Sequence, residues 1–177
     1  MELDKRSRHL HSIAWDPYGN WLIATLGDGC PARVIYSEDF GQSWKPLYKG
    51  AWQFIPIVVC EDMAIFGMDS SIVKGGVGIL HPEDYRWEFK FFRWLNGRVS
   101  LAQICYMKPL NNSLWIVAFG TPQAIAISKD LHTWYLVYVE GYNRSFNFHM
   151  SIDETDNTIL CSTGDHLIAF NKENYIG

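Results

Sequence analysis

A chain of 177 residues with 48% apolar and 15% aromatic side chains, but only 19% charged ones, can bury one substantial core, and this composition excludes an intrinsically disordered segment. Its formal charge of −4, with 15 basic residues and no basic run longer than Lys5 and Arg6, argues against a nucleic-acid groove. No stretch approaches the roughly 18 continuous apolar residues of a membrane span, and the opening residues, broken by Asp16 and Pro17, show no export signal, so a cytoplasmic chain that engages no membrane is expected.

In chain order, HLHSIAW at 9–15 leads into the turn DPYGN, followed by WLIATL, the loop GDGCP, ARVIYS, the turn segment SEDFGQSW at 37–44, and KPLY. Each run is short, apolar or alternating, and bounded by Gly, Pro, Asp or Asn, which predicts four antiparallel strands. The pattern returns as FIPIVVC, AIFGM, VGIL and WEFKFF, with the turns EDM and HPEDYR. A third pass gives RVSLAQICY, LWIVAFG, AIAIS and WYLVYV, with a shortened turn SKDLHTW at 128–134. The fourth, FNFHMSI, TILCS and HLIAF, ends at NKENYIG without an outermost strand. No apolar period of 3.6 residues persists for a dozen positions, so no long helix is expected.

Trp44, Trp87 and Trp134 are separated by 43 and 47 positions, and the runs that open each unit, near His9, Trp52, Arg98 and Phe146, step by 43, 46 and 48. A period of about 40–50 residues filled by four short strands is the signature of propeller blades. The expectation is one all-β domain over 1–177, a β-propeller-like array of about four four-stranded antiparallel blades at 9–50, 51–96, 97–142 and 143–177, the last incomplete. Ring closure then falls to the polar residues 1–8 or to a second copy of the chain. Exposed blade faces and unpaired edges favour self-association, which predicts a homo-oligomer such as a dimer.

SEDFGQSW carries Ser37, Asp39, Gly41 and Trp44 in the pattern Ser-x-Asp-x-Gly-x-x-Trp, with Ser128, Asp130 and Trp134 as a weaker copy. An aspartate can bond backbone N–H groups a few residues on, and a glycine permits positive φ, so the segment reads as a sharp turn. It resembles the Asp-box, or BNR, repeat of sialidase-like β-propellers. The opening RHLHSIAWDPYGNWLIATLGDG and the stretch CEDMAIFGMDS extend the resemblance to BNR-like propellers over about the first 80 residues. The resemblance implies a structural box remote from any active site, and a shortened member of that superfamily. A sialidase would also need an arginine cluster, yet Arg33, Arg86, Arg93, Arg98 and Arg144 are scattered over several runs. No sialidase triad is expected.

Candidate chemistry lies at the opposite end of the strands. His9 and His11 are two apart on a strand and share a face, and His149 corresponds to His11 in the repeat. Three imidazoles with Asp28 or Asp69 could hold Zn²⁺, Mn²⁺ or another divalent ion; the alternative is histidines that pack and bond backbone carbonyls. Asp28 and Asp69 read first as Asx-type turn residues that satisfy backbone donors. Gln53 and Gln103 would suit hydrogen bonding to a sugar, whereas Trp21 and Trp115, at matching positions, read as core. Cys30, Cys60, Cys105 and Cys161 form no Cys-x-x-Cys pair and read as reduced thiols. No nucleotide, zinc-protease or nucleophile-elbow motif occurs. The expected role is a binding or assembly module for a glycan or a protein, with no cofactor expected, although the histidines could take a divalent metal. The alternative is a metal-assisted carbohydrate lyase or hydrolase with a His-rich axial site.

Overall fold

The computed structural model describes residues 7–28, 31–69, 74–97, 99, 103–110, 113–120, 123–140, 151–155, 157–162 and 167–176. Strands β1 (His9–Asp16), β2 (Trp21–Gly27), β3 (Ala32–Ser37) and β4 (Lys45–Gly50) pair in chain order as one antiparallel sheet. A second sheet runs β5 (Phe54–Val59), β6 (Ala64–Met68), β7 (Gly76–His81) and β8 (Arg86–Phe91) in the same meander. The third contains β10 (Ile104–Pro109), β11 (Trp115–Gly120), β12 (Gln123–Ser128) and β13 (Thr133–Val139), with β9 (Arg93–Asn96) added at its outer edge. The last is three-stranded, β14 (Ser151–Glu154), β15 (Thr158–Ser162) and β16 (Leu167–Asn171), followed by the short helix α1 (Glu173–Ile176). The chain is therefore all-β and propeller-like, its last sheet three-stranded among the described residues. No described helix is long and apolar enough to cross a membrane.

The sheets stack face to face because their central strands carry apolar residues on both sides. Trp21, Ile23 and Val34 of the first sheet pack on Phe54, Phe66, Met68 and Leu80 of the second. Ile65, Val77 and Ile79 turn the other way, onto Ile104, Val117, Phe119 and Trp134 of the third. Ile116, Ile125 and Ile127 complete the series against Ile159 and Cys161 of the fourth. Fully burying a side chain of this size contributes about 1.5–3 kcal/mol, so each interface outweighs any single polar contact within it. Strand β5 lies between β1 and β10, which brings the innermost strands of three sheets side by side.

Two features depart from expectation. Arg93–Asn96, assigned to the second repeat on sequence, pairs in parallel with β13 of the third sheet. The Asn96 amide imitates a backbone, its Nδ2 donating to Leu136 O at 2.9 Å and its Oδ1 accepting from Leu136 N at 2.7 Å. This covers an edge that would otherwise present unpaired groups. Second, residues 7 and 8 run on from β1 within the first sheet, Arg8 N donating to Gly27 O at 3.1 Å and Ser7 Oγ accepting from Arg33 at 3.0 Å. Residues 1–6 lie outside the described residues. Among those described, the first and fourth sheets share no apolar cluster. The outer face of the first sheet leaves Leu10, Ile13, Trp15 and Phe40 exposed, with Trp15 stacked on Phe40 at 5.4 Å.

Both box turns use their polar side chains internally. Ser37 Oγ donates to Asp39 Oδ1 at 2.7 Å and accepts from Gly41 N at 2.8 Å, while Asp39 accepts from Ser43 N at 2.8 Å and Ser43 Oγ at 2.6 Å. Phe40 and Gly41 adopt φ of 55° and 87°, and in the second turn Leu131 adopts 61°. Asp130 repeats the scheme with Ser128 Oγ at 3.0 Å, His132 N at 2.8 Å and Thr133 N at 2.6 Å. The Ser43 hydroxyl, aided by the Ser43 N–H and the Ser37 hydroxyl, lowers the Asp39 carboxyl from 3.8 to about 2. At Asp130 burial opposes ionisation, but the N–H groups of Thr133 and His132 and the Thr133 and Ser128 hydroxyls outweigh it and bring that carboxyl to about 2 as well. Carboxyls depressed in the fold stabilise it above their unfolded pKa and stop doing so as pH falls through the folded value. The thermal midpoint should therefore drop between about pH 4 and pH 2, with a flatter decline in Asp39→Asn and Asp130→Asn. Equal slopes for variants and wild type across that window would contradict the turn's role.

Candidate functional site at the inner rim

The inner strand of each of the first three sheets carries a register break near its start, between Leu10 and Ser12, between Phe54 and Ile57, and between Ile104 and Tyr106. Bulges at a rim re-aim side chains. Just before or at these breaks stand His9, Gln53 and Gln103 in corresponding places. His9 pairs with Gly27, Gln53 O accepts from Asp69 N at 2.7 Å, and Gln103 O accepts from Gly120 N at 3.1 Å. A polar residue from each sheet thus faces the same end of the stack. The box turns lie at the other end of the strands, since they join β3 to β4 and β12 to β13.

The rim side chains are linked from sheet to sheet. Gln53 Oε1 accepts the Asp28 N–H at 3.0 Å, Gln53 Nε2 donates to Asp69 Oδ2 at 2.9 Å, and Gln103 Nε2 donates to Asp69 Oδ1. Asp28, Gln53, Asp69 and Gln103 consequently form one chain of hydrogen bonds across three sheets. Asp69 is largely enclosed, its side chain 9% exposed and both oxygens occupied, so it organises the rim and offers little to a ligand. Asp28 is half exposed and holds φ at 53°, a left-handed conformation that aspartate tolerates better than most residues.

His11 is fixed by a neighbouring sheet. Its Nδ1 lies 2.9 Å from Phe54 O, and because a carbonyl can only accept, Nδ1 carries a proton, so that in the neutral ring Nε2 is the nitrogen with the lone pair. The same Nδ1 is 3.8 Å from Asp69 Oδ2. Gly27 makes the ring position available: a Cβ there would sit 2.1 Å from His11 Nε2. The His9 ring lies beside that of His11, centroids 4.6 Å apart, and His9 Nδ1 is 3.7 Å from Asp28 Oδ2.

Of the five residues singled out from the sequence, His9, His11 and Asp28 come together, and each offers a ligand atom within 4.8 Å of the others. Asp69 adjoins His11 on its Nδ1 side and falls outside that triplet. His149, like Gly164 and Asp165, lies outside the described residues. Of the two alternatives read from the sequence, the structure shows the carbonyl bond of the second, from His11 to Phe54 O of the neighbouring sheet. Trp21 is buried in the core, as its position suggested, and Trp115 packs against the core at the third sheet.

Sequence reasoning missed the place of Cys105. It occupies the bulge corresponding to His11, over Gly120, where a Cβ would meet its sulfur at 2.7 Å. Burial, reinforced by the Asp69 carboxylate, pushes its thiol up to about 11, and burial pushes Cys161 up to about 12. Such thiols are poor nucleophiles at neutral pH. Cys60, Cys105 and Cys161 are free. A cleft of about 220 Å³ opens far from the rim, lined by residues including Leu114, Ser128, Asp130, Tyr135 and Tyr175. Ser128 and Asp130 of that lining already bond within their own turn.

No protein-family model matches the chain, and no curated protein matches it. Among solved structures, the endo-arabinase from Bacteroides thetaiotaomicron VPI-5482 is similar over 97% of this chain and 78% of that one, at 15% identity and a TM-score of 0.43.

Proposed function

We propose that the chain is a binding module built on BNR-type blades, whose ligand, a glycan, is held at the inner rim. One observation carries this reading: the hydrogen-bonded chain Asp28, Gln53, Asp69 and Gln103, which locks three sheets together and leaves His9 and Asp28 half exposed at its mouth. Groups fixed on rigid strands lose little freedom on binding, and a carboxylate beside an imidazole offers acceptors and a donor to sugar hydroxyls. Asp39 and Asp130, by contrast, serve their own turns.

A glycan panel followed by titration calorimetry, in buffer with a chelator, tests the proposal. The expected result is saturable binding of at least one glycan, weakened about 10-fold, or about 1.4 kcal/mol, in Asp28→Ala. A panel with no binder, or binding indifferent to Asp28, would sink it. Release of reducing ends from the bound glycan would favour the catalytic alternative instead.

A further inference from the structure

We infer that His9, His11 and Asp28 form a binding site for a divalent transition ion of the zinc class. Three features of the geometry support it. His9 Nδ1 and Asp28 Oδ2, at 3.7 Å, are too far apart for a hydrogen bond. They are close to the roughly 3.4 Å that separates two ligands on a tetrahedral ion with bonds of about 2.1 Å. The third ligand atom comes from His11, and all three lie within 4.8 Å, so small side-chain rotations close the triplet.

The surroundings hold these ligands as a metal centre requires. A metal-bound histidine typically donates its other ring N–H to a carbonyl or carboxylate, which fixes its tautomer and orientation. His11 does this to Phe54 O at 2.9 Å, with the Asp69 carboxylate behind it. Asp28 is anchored by its N–H on Gln53, and the absence of a side chain at Gly27 gives the His11 ring its place. Two imidazoles and one carboxylate suit Zn²⁺, Co²⁺, Ni²⁺ or Fe²⁺, whereas Ca²⁺ and Mg²⁺ require oxygen ligands. With His9 and Asp28 half exposed, the remaining coordination positions face solvent. A bound ion could there meet a ligand hydroxyl or a water.

The site does not depend on the glycan reading, and the two fail separately: the metal titration contains no sugar, and the glycan panel contains chelator. The full chain, stripped with EDTA, is titrated with Zn²⁺ by calorimetry and with Co²⁺ by visible absorption. The expected result is one equivalent bound, with visible Co²⁺ bands, and affinity reduced at least about 10-fold in His9→Ala and in Asp28→Asn. Because both side chains are half exposed, these variants keep the fold, which matching thermal midpoints without metal verify. His132→Ala, at an exposed histidine of the second box turn, should bind as wild type does. No saturable binding by the wild type, or binding unchanged in both His9→Ala and Asp28→Asn, overturns the site.

Discussion

Trp134→Ala should lower stability by about 3–5 kcal/mol. Trp134 is fully buried between the second and third sheets, edge-on to Phe92 at 5.3 Å and 89°. Its truncation leaves a cavity that β-strands on both sides cannot easily fill. The indole N–H tells a second part of the story, since Trp134 Nε1 has no hydrogen-bond partner among the described residues. Trp134→Phe removes that buried donor while keeping an aromatic ring, so its cost should stay within about 1.5 kcal/mol. Urea denaturation of both variants checks the account; a Phe variant as unstable as the Ala variant would show that the indole is held by something other than packing.

Glu154→Ala should cost about as much, roughly 3–5 kcal/mol, although no sequence pattern marks it. Lys172 is 1% exposed, and its Nζ donates to Glu154 Oε1 at 2.8 Å, so removing the carboxylate leaves an ammonium buried without its counter-charge. The pair ties β14 to the segment after β16, where Lys172 N also donates to Asn157 O and Lys172 O accepts from Tyr175 N. Tyr175 in α1 then meets Phe170 at 6.1 Å and Tyr135 of the third sheet at 6.0 Å. A buried ion pair gains little over apolar residues of like size, so Glu154→Leu with Lys172→Met should melt near wild type. Chemical denaturation of the single and double variants distinguishes the two; a double variant as unstable as Glu154→Ala would contradict the pairing argument.

These two sites show what a single sequence reveals. The strands were legible because each is a short apolar run closed by turn residues, and the tryptophan spacing gave their period. The three-stranded last sheet was legible because HLIAF is followed by no further strand-forming run. The three aligned tryptophans, however, do different work: Trp44 Nε1 donates to Gly41 O within its own turn, Trp87 Nε1 to Leu47 O of the preceding sheet, and Trp134 Nε1 to nothing described. Spacing locates such residues but cannot tell their surroundings. Arg93–Asn96 was assigned to the wrong sheet because a side-chain amide, which has no strand propensity to read, completes its pairing. Lys172 falls in NKENYIG, a segment with no strand pattern, and only the fold encloses it.

At the rim the balance was similar. The His-x-His spacing and the aspartate after β2 pointed to the residues that converge, because strand alternation and loop position are local properties. The link from Gln53 to Asp69 and Gln103 was not legible, since it depends on the relative height of three sheets. That same link separates Asp69, which organises, from Asp28, which remains open to a ligand. The sequence treated them as equals.

The division of labour between the two ends of the strands is the central claim, and one thermal-melting series with and without Zn²⁺ tests it most directly. Asp28→Asn should melt with the wild type in the absence of Zn²⁺ and lose the rise in midpoint that Zn²⁺ produces. Asp39→Asn should melt lower than wild type at neutral pH and keep the full rise. If instead Asp28→Asn retains the Zn²⁺ response while Asp39→Asn loses it, ligand chemistry belongs to the box turns and the account is wrong.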